Sequence, residues 1–423
     1  MIHLNFKNLF LCYRHLYFMA SSLCHSLVRH TNMQQALLIF ILIIFGLYTL
    51  LILYYLKSWL GIPEYQVKNQ KRKPVTRITI IIPARNEEEN IGTCLNSICN
   101  QSYPKELFEV LVVDDHSTDI TASIIRSYAA KNVKLISLKD FVRADELNSY
   151  KKKAIEIAVQ QSTSELIVTT DADCFVPENW LQTIASFYEQ YQPEFIAAPV
   201  SINCSNKFIE FFQGLDFMML QGITGASVHK KIHSMCNGAN LAYTKKAFDE
   251  VGGFAGIDNI ASGDDMLLMH KIYKRYPDKV MFLKSKAAIV QTQPVNSISE
   301  FFNQRIRWAS KADKYDDKRI FAVLLLVYLV NVLLLALPVV AIFDNAQYSI
   351  FNIQYSMFGV WFCLLLLKTI TELVFLYPVA KFFGKQPMLW LFPLMQPFHI
   401  IYTVIAGWLG KFGSYTWKER NVK

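Results

Sequence analysis

Two aspartates stand one residue apart at the end of the apolar stretch ELIVTTDADC: Asp171 and Asp173. In extended backbone, residues i and i+2 face the same way. Their carboxylates therefore point together while Ala172 turns aside. Like charges that close raise each other's pKa unless something positive lies between them. A divalent cation, basic side chains or open solvent at a loop would each relieve them. A hard cation such as Mg²⁺ takes one or two carboxylates and completes its shell with phosphate oxygens. It then acts as a Lewis acid on a departing phosphoryl oxygen. The buried strand ahead of the pair favours this metal–diphosphate reading over a solvated loop. A second pair, Asp114–Asp115, closes FEVLVVDD, and a third, Asp264–Asp265, opens the helical stretch DDMLLMHKI. In the third pair one carboxylate can raise the pKa of the other toward a range useful for a general base, although a helix-capping pair without catalysis fits the same residues. The basic run Lys151–Lys152–Lys153 starts another helical segment, where a solvated helix face is the plain reading.

The elements that must position these groups can be read from the apolar pattern. Ile78–Ile82 is a short apolar run bounded by Pro83, as expected of a buried parallel strand. EEENIGTCLNSICNQ follows with helical spacing. FEVLVVDDHSTDITASIIRSYAA repeats the plan of strand, acidic turn and helix, with Ser117 or Thr118 as a cap. VKLISL is a third strand, KKKAIEIAVQQS a helix and ELIVTT a fourth strand. Alternating strands and helices predict a doubly wound α/β fold. Ligands bind such sheets at the C-terminal strand ends, where Pro83–Glu87, Asp114–Asp115 and Asp171–Asp173 all fall.

The chain has 423 residues, 52% of them hydrophobic and 14% aromatic. That is too apolar for a purely water-soluble enzyme. Four runs are long enough to cross a bilayer: 35–56, 320–343, 357–379 and 388–410, the last interrupted by Pro393 and Pro397. The expected organisation is an N-terminal extension (1–33), a transmembrane helix (34–57), a water-facing domain (75–296), an amphipathic interfacial helix (297–318) and a C-terminal membrane region of about three segments (320–410). The extension lacks a helical stripe, and Met33 directly before the first run is an alternative start. The net charge of +9 is concentrated beside the membrane runs, at Lys57, Lys68, Lys71, Arg72, Lys73, Arg77, Lys311, Lys314, Lys318 and Arg319. This bias points to anionic lipid contact and a cytoplasmic domain on the inner face of the cell membrane. The basic tail would end outside if the fourth run crosses; a re-entrant or interfacial fourth run keeps it inside. Nothing interleaves basic and aromatic residues as a nucleic-acid surface would. The eight cysteines form no CxxC pair, so reduced thiols are expected. Lys368 and Glu372 share a helix face inside the third run, either as a structural pair or as part of a lipid or glycan path. His399 in the fourth run carries the same two readings.

IIPARNEEENI, VLVVDDHSTD, TTDADC, Gly263–Asp265 and QRIRW at 304–308 occur in this order. Together they resemble the family 2 glycosyltransferases of the GT-A fold, in particular the membrane-embedded branch that includes cellulose, hyaluronan and poly-N-acetylglucosamine synthases. The resemblance spans about Val75 to Trp308 and the flanking helices. It implies a nucleotide-sugar donor, with Pro83, Arg85, Glu87, Asp114 and Asp115 lining the nucleotide pocket. It implies Mg²⁺ or Mn²⁺ on Asp171 and Asp173, and a lysine near the diphosphate. A Tyr precedes the lysine run where the family commonly has Gly, so the register rests on Lys152 or Lys153. Asp265 is implied as the catalytic base that takes a proton from the acceptor hydroxyl, with Asp264 beside it. Gln304 and Arg307 are implied near the diphosphate and Trp308 as a platform for the acceptor, a role an aromatic face suits. Neither a Gly-rich nucleotidyltransferase loop nor a GxGxxG follows the first strand.

The function expected is inverting transfer of a sugar from a UDP-linked donor to a lipid or lipid-linked acceptor at the membrane. The alternatives are a processive polysaccharide synthase and a non-catalytic membrane partner that keeps the fold. The last predicts a broken Asp171, Asp173 or Asp265, and all three are present.

Overall fold

The computed structural model of the chain describes residues 33–67, 74–143, 149–205, 207–232, 235–260, 263–311, 317–343, 348–350, 353–412, 415–417 and 420–422. The extension 1–32 and the basic residues Lys68, Lys71, Arg72, Lys73, Lys314, Lys418 and Lys423 lie outside them.

β1 (Ile78–Ala84) is buried along almost its whole length, and each fully buried Ile contributes about 1.5–3 kcal/mol of hydrophobic stabilisation. It is the third strand of a seven-stranded sheet. On one side lie β2 (Phe108–Asp114) and β3 (Val133–Ser137), both parallel. On the other lies β4 (Leu166–Thr169), also parallel. These are the four strands expected. Beyond β4 the sheet departs from an all-parallel pattern. β7 (Leu241–Thr244) runs antiparallel to both β4 and β5 (Phe195–Ala197), and β8 (Val280–Phe282) completes the order β3-β2-β1-β4-β7-β5-β8. The reversal has a consequence for the cleft. The turn that enters β7 arrives at the carboxyl end of β4, where Thr169 Oγ1 donates to the Gly238 carbonyl at 3.0 Å. A separate parallel pair, β6 (Val200–Ile202) with β9 (Val290–Thr292), closes the same edge.

Helices α2 (Ile91–Cys99), α3 (Thr121–Arg126), α4 (Tyr150–Gln161) and α5 (Trp180–Tyr191) connect the strands. Asp119 caps α3 by accepting from Thr121 N, and it also accepts from Glu88 N. It therefore serves the fold. α6 (Phe208–His229), 22 residues long, joins the domain to the membrane helices. It packs on α1 (Met33–Gly61), whose Ser58 Oγ donates to Ala226 O at 2.7 Å. After α7 (Lys245–Glu250) and α8 (Asp264–Arg275), the short α9 (Ile298–Ala309) leads into α10 (Lys318–Phe343), α11 (Met357–Phe383) and α12 (Phe392–Phe412).

Among the described residues four helices are long and apolar enough to cross a membrane, the last covering 386–412. The ends of that last segment are informative. At its approach, Lys385 Nζ donates to Ile202 O of β6 at 2.5 Å. At its exit, Gly410 lies so close to α9 that an added Cβ would stand 2.7 Å from Ala309 Cβ and 3.0 Å from backbone. Both ends of α12 thus sit on the side of the sheet domain. Inside the helix layer, Lys368 Nζ pairs with Glu372 Oε1 at 2.8 Å and donates to Gln396 Oε1 at 2.7 Å, and Tyr48 Oη donates to Glu372. This network joins α1, α11 and α12, as a structural pair would.

Candidate active site

The cleft begins at the carboxyl end of β4. Lys151 Nζ donates to Asp171 Oδ1 at 2.7 Å and lies 3.4 Å from Asp264 Oδ2. Burial alone would lower the Lys151 ammonium, but Asp171 and then Asp264 outweigh it and hold it well above its ordinary value. Asp173 accepts from Thr292 Oγ1 of β9 at 3.1 Å. Burial first, then Asp171 and Glu87, push its carboxyl up to about 6. The lysine expected at this site was Lys152 or Lys153, and the structure corrects the register. An α-helix turns 100° per residue, so three successive lysines face three directions. Lys152 is buried behind the cleft, where its Nζ donates to Ile257 O and Ile260 O at 2.7 and 2.6 Å. Burial lowers its pKa to about 8. Lys153 pairs with Glu156 at the helix surface. Only Lys151 of the three faces the carboxylates.

Opposite this group, α8 starts from Gly263 at φ 81, a conformation glycine adopts without strain. Asp265 Oδ2 accepts from Gly238 N at 3.2 Å and Oδ1 from Met266 N at 2.7 Å. Burial first, and then Asp264, raise the Asp265 carboxyl above its ordinary range. Burial acts to raise Asp264 too, but Lys151 and Lys311 outweigh it and hold it low. The adjacent carboxyls are thereby split into a firmly ionised member and a more basic one.

At the other end, Arg85 Nη1 donates to Asp115 O at 2.9 Å, and the His116 ring lies 3.0 Å from Asp115 Oδ1. Pro83, Arg85, Glu87 and Asp115 line the cleft. Asp114 does not. Alternate residues of a strand point to opposite faces, and Asp114, the last residue of β2, is buried outside the cleft lining. Of the two aspartates expected at the nucleotide pocket, the structure brings Asp115 to the cleft and not Asp114.

Gln304, Arg307 and Trp308 of α9 line the same space from the membrane side. Between them, Arg305 is buried and pairs with Asp216 of α6 at 2.7 Å. It also donates to Gln304 Oε1 at 2.7 Å, and its guanidinium lies 4.2 Å from the Trp308 ring centre. α9 is therefore less an exposed interfacial helix than a clamped one, with Phe301 packed edge-on against Phe212 and Tyr402. The cavity measures about 1460 Å³ and runs from Pro83 past Asp171 and Asp265 to Tyr328 of α10 and Gly407 of α12.

The order of these parts, from a parallel sheet with two carboxylates at its edge to a clamped helix bearing Gln304, Arg307 and Trp308, has a match among known families. The model described as glycosyl transferase family group 2 matches residues 166–406, more than half of the chain, and that described as glycosyl transferase family 2 matches 79–252. The chain belongs to glycosyltransferase family 2. Similar curated proteins include the glycosyltransferase AglE of Haloferax volcanii, 26% identical over 59% of this chain and 79% of its own. The beta-monoglucosyldiacylglycerol synthase of Synechocystis is 26% identical over 56% of this chain and 48% of its own. The chain thus spans most of the first and about half of the second. Among solved structures, the mannosyltransferase PcManGT of Pyrobaculum calidifontis, in complex with GDP-Man and Mn²⁺, has the same fold. Its TM-score is 0.51 at 21% identity, covering 85% of this chain and 98% of that one.

In this family 2 enzyme the cleft brings together Pro83, Arg85, Glu87, Asp115, Asp171, Asp173, Asp264, Asp265, Gln304, Arg307 and Trp308. Sequence reasoning missed Lys151, Thr292, Gly238 and Lys311. Thr292 and Gly238 reach the cleft only through the β6–β9 pair and the reversed β7, which no local pattern announces. Lys311 carries a signal in its place, three residues after Trp308.

The donor set also suits a divalent cation. Asp171 and Asp173 supply hard oxygen ligands, and the Asp173 carboxyl is raised by burial first and then by neighbouring carboxylates, a crowding that a cation would relieve. Among the described residues no cluster of three or more His, Cys, Asp or Glu forms a complete cage. Two carboxylates with phosphate oxygens is the usual arrangement for Mg²⁺.

Proposed function

We propose that this chain is an inverting glycosyltransferase that moves a sugar from a nucleotide-sugar, UDP-linked, to a lipid or lipid-linked acceptor. The observation that carries the reading is the continuity of the cavity. It joins the carboxylate cleft to a groove lined by α10 and α12, so an amphipathic acceptor can keep its tail among apolar helices and present its head to Asp265.

Arg85 and Asp115 hold the nucleotide end. Asp171 and Asp173 would hold a divalent cation, Mg²⁺ or Mn²⁺, which would supply Lewis-acid stabilisation to the leaving diphosphate. Lys151 holds Asp171 and Asp264 in place, and Gln304 and Arg307 face the diphosphate. Asp265 takes the acceptor hydroxyl proton as that oxygen bonds to C1 of the sugar and the bond from C1 to the phosphate oxygen breaks. One base with in-line displacement inverts the anomeric centre. Trp308 is the platform against which the acceptor rests. The basic residues flanking the apolar runs support a sheet domain on the cytoplasmic face of the cell membrane. A processive polymer synthase is disfavoured because α12 returns to the domain side, which leaves α1, α10 and α11 to enclose a channel.

The test is donor turnover by purified chain in lipid nanodiscs, screening UDP- and GDP-sugars with Mn²⁺ or Mg²⁺ beside an Asp265→Asn variant. Release of nucleoside diphosphate that needs the metal and vanishes in the variant is expected. Folded protein that binds no nucleotide under any of these conditions would refute the reading.

A further inference from the structure

Thr292 ends β9, and its place is fixed from several directions. It pairs with Ile202 of β6, and its carbonyl accepts from Asn203 N at 2.9 Å. One residue earlier, Gln291 exchanges backbone hydrogen bonds with Phe175 at 2.9 and 2.8 Å, which ties β9 to the loop that carries Asp171 and Asp173. Three residues later, Val295 N donates to Gln213 Oε1 at 3.0 Å, and Gln213 Nε2 donates to Val295 O at 2.9 Å. The hydroxyl so fixed, Thr292 Oγ1, donates to Asp173 Oδ2 at 3.1 Å. On the neighbouring aspartate, Lys151 Nζ donates to Asp171 Oδ1 at 2.7 Å. Each carboxylate is therefore held through one oxygen, which leaves Asp171 Oδ2 and Asp173 Oδ1 to a cation. Asp173 Oδ1 has Cys174 Sγ at 3.6 Å, a weak donor. A carboxylate anchored in this way ligates through one oxygen and does not straddle the ion. Mg²⁺ needs near-octahedral geometry and few carboxylates, and Mn²⁺ shares the octahedral oxygen preference. Ca²⁺ tolerates looser shells of more oxygens and commonly takes both oxygens of one carboxylate.

We infer that Thr292 is a positioning residue for the cation: by holding Asp173 Oδ2 it makes Asp173 a one-oxygen ligand and selects Mg²⁺ or Mn²⁺ over Ca²⁺. This rests on the transferase reading above, in which Asp171 and Asp173 would hold a cation at the donor diphosphate. Thr292 and Asp173 are 119 positions apart in the chain, so no local pattern joins them. A threonine that only supported the fold would matter equally whichever ion is bound, and that difference can be measured.

The UDP affinity of the full chain in lipid nanodiscs is measured by titration calorimetry with Mn²⁺, with Ca²⁺ and with neither, for the wild type, Thr292→Val and Thr292→Ser. Val keeps the shape and removes the hydroxyl, whereas Ser keeps the hydroxyl. The wild type is expected to bind UDP more tightly with Mn²⁺ than with Ca²⁺. Thr292→Val should weaken Mn²⁺-supported binding about ten- to a hundredfold, the usual effect of losing an outer partner of a metal ligand, and Ca²⁺-supported binding by much less. Thr292→Ser should stay near the wild type with both ions. Should Thr292→Val not fold, Thr292→Cys, whose S–H is a weak donor, must show the loss with Mn²⁺ instead. An unchanged Mn²⁺-to-Ca²⁺ ratio in the variant without the hydroxyl overturns the inference, and so does a Ser variant that loses as much as Val. A wild type that binds UDP equally well with either ion, or with none, also overturns it while leaving the transferase reading in place. Folded wild type that binds no UDP under any of these conditions fails the UDP-transferase reading itself, and the inference falls with it.

Discussion

Asp216→Ala tests whether the membrane helices hold the acceptor platform. Asp216 and Arg305 are each 4% exposed and pair at 2.7 Å. Tyr402 Oη also donates to Asp216 Oδ1 at 2.5 Å. Breaking a buried pair by removing one partner typically costs about 3–5 kcal/mol, because the remaining charge stays buried. Arg305 keeps Gln304 Oε1 and the faces of Phe301 and Trp308, at 4.6 and 4.2 Å, which places the loss at the low end, about 3 kcal/mol. The unpaired Tyr402 hydroxyl adds roughly 1 kcal/mol. Denaturant unfolding in detergent would read this as a lower midpoint with an unchanged slope. Asp216→Leu combined with Arg305→Met removes both charges and should return to within about 1 kcal/mol of the wild type. In surviving folded Asp216→Ala enzyme, the KM for acceptor should rise more than that for donor, since the cation stacked on Trp308 loses the ion pair that anchors it. A single-variant loss below about 1 kcal/mol, or a double variant as unstable as the sum of its parts, would refute the reasoning.

Lys151→Met should lower turnover by about a hundredfold or more, as loss of a preorganised charge at a reacting centre does. Lys152→Met should spare the turnover of folded enzyme and cost about 1–3 kcal/mol for the two carbonyls it abandons; equal turnover losses would show the register assigned to α4 to be wrong. For pH dependence, Asp265 must be ionised to accept a proton, and burial and Asp264 both disfavour that ionised form. The acid limb of kcat/KM should therefore lie above the ordinary aspartate value. Asp264→Asn should move it to lower pH, and an upward or absent shift would contradict the coupling. A reporter fused after Lys423 should be accessible from the same membrane face as one inserted beside the exposed Lys131; opposite faces would mean that α12 crosses.

The sheet was legible wherever a short apolar run ended in a turn. β1, β2, β3 and β4 lie where the pattern of Ile, Val and Leu put them, and the Asp171–Asp173 pair sits at a strand end as expected. Choices between adjacent residues were not legible. Lys151 against Lys152, and Asp115 against Asp114, depend on where a helix starts or which way the last strand residue turns, and one residue's shift reverses the answer. α6 was missed because its apolar content is nearly continuous, with Gln213, Asp216 and Gln221 buried inside it. Their partners lie on other elements: Asp216 on α9, Gln213 on the Val295 backbone and Gln221 on Val200 N. No window of sequence contains both halves of those bonds.

The last helix shows how a packed contact decides what hydropathy leaves open. α12 is long enough to cross a bilayer, and its composition alone permits it. Lys385, before its start, reaches the β6 backbone, while Gly410 near its end abuts the end of α9. A crossing helix would separate these points by the thickness of the membrane and leave one of them far from the domain. Because both touch the domain side, α12 must lie along the layer it enters. Gly407 then rests on Tyr328, where an added Cβ would stand 2.8 Å from the ring, so α10 and α12 approach closely above the apolar groove. A helix that lies beside the cleft can wall one side of a lipid site. It cannot help enclose a pore across the bilayer. Under the proposed function, this packing favours an acceptor that arrives from within the membrane.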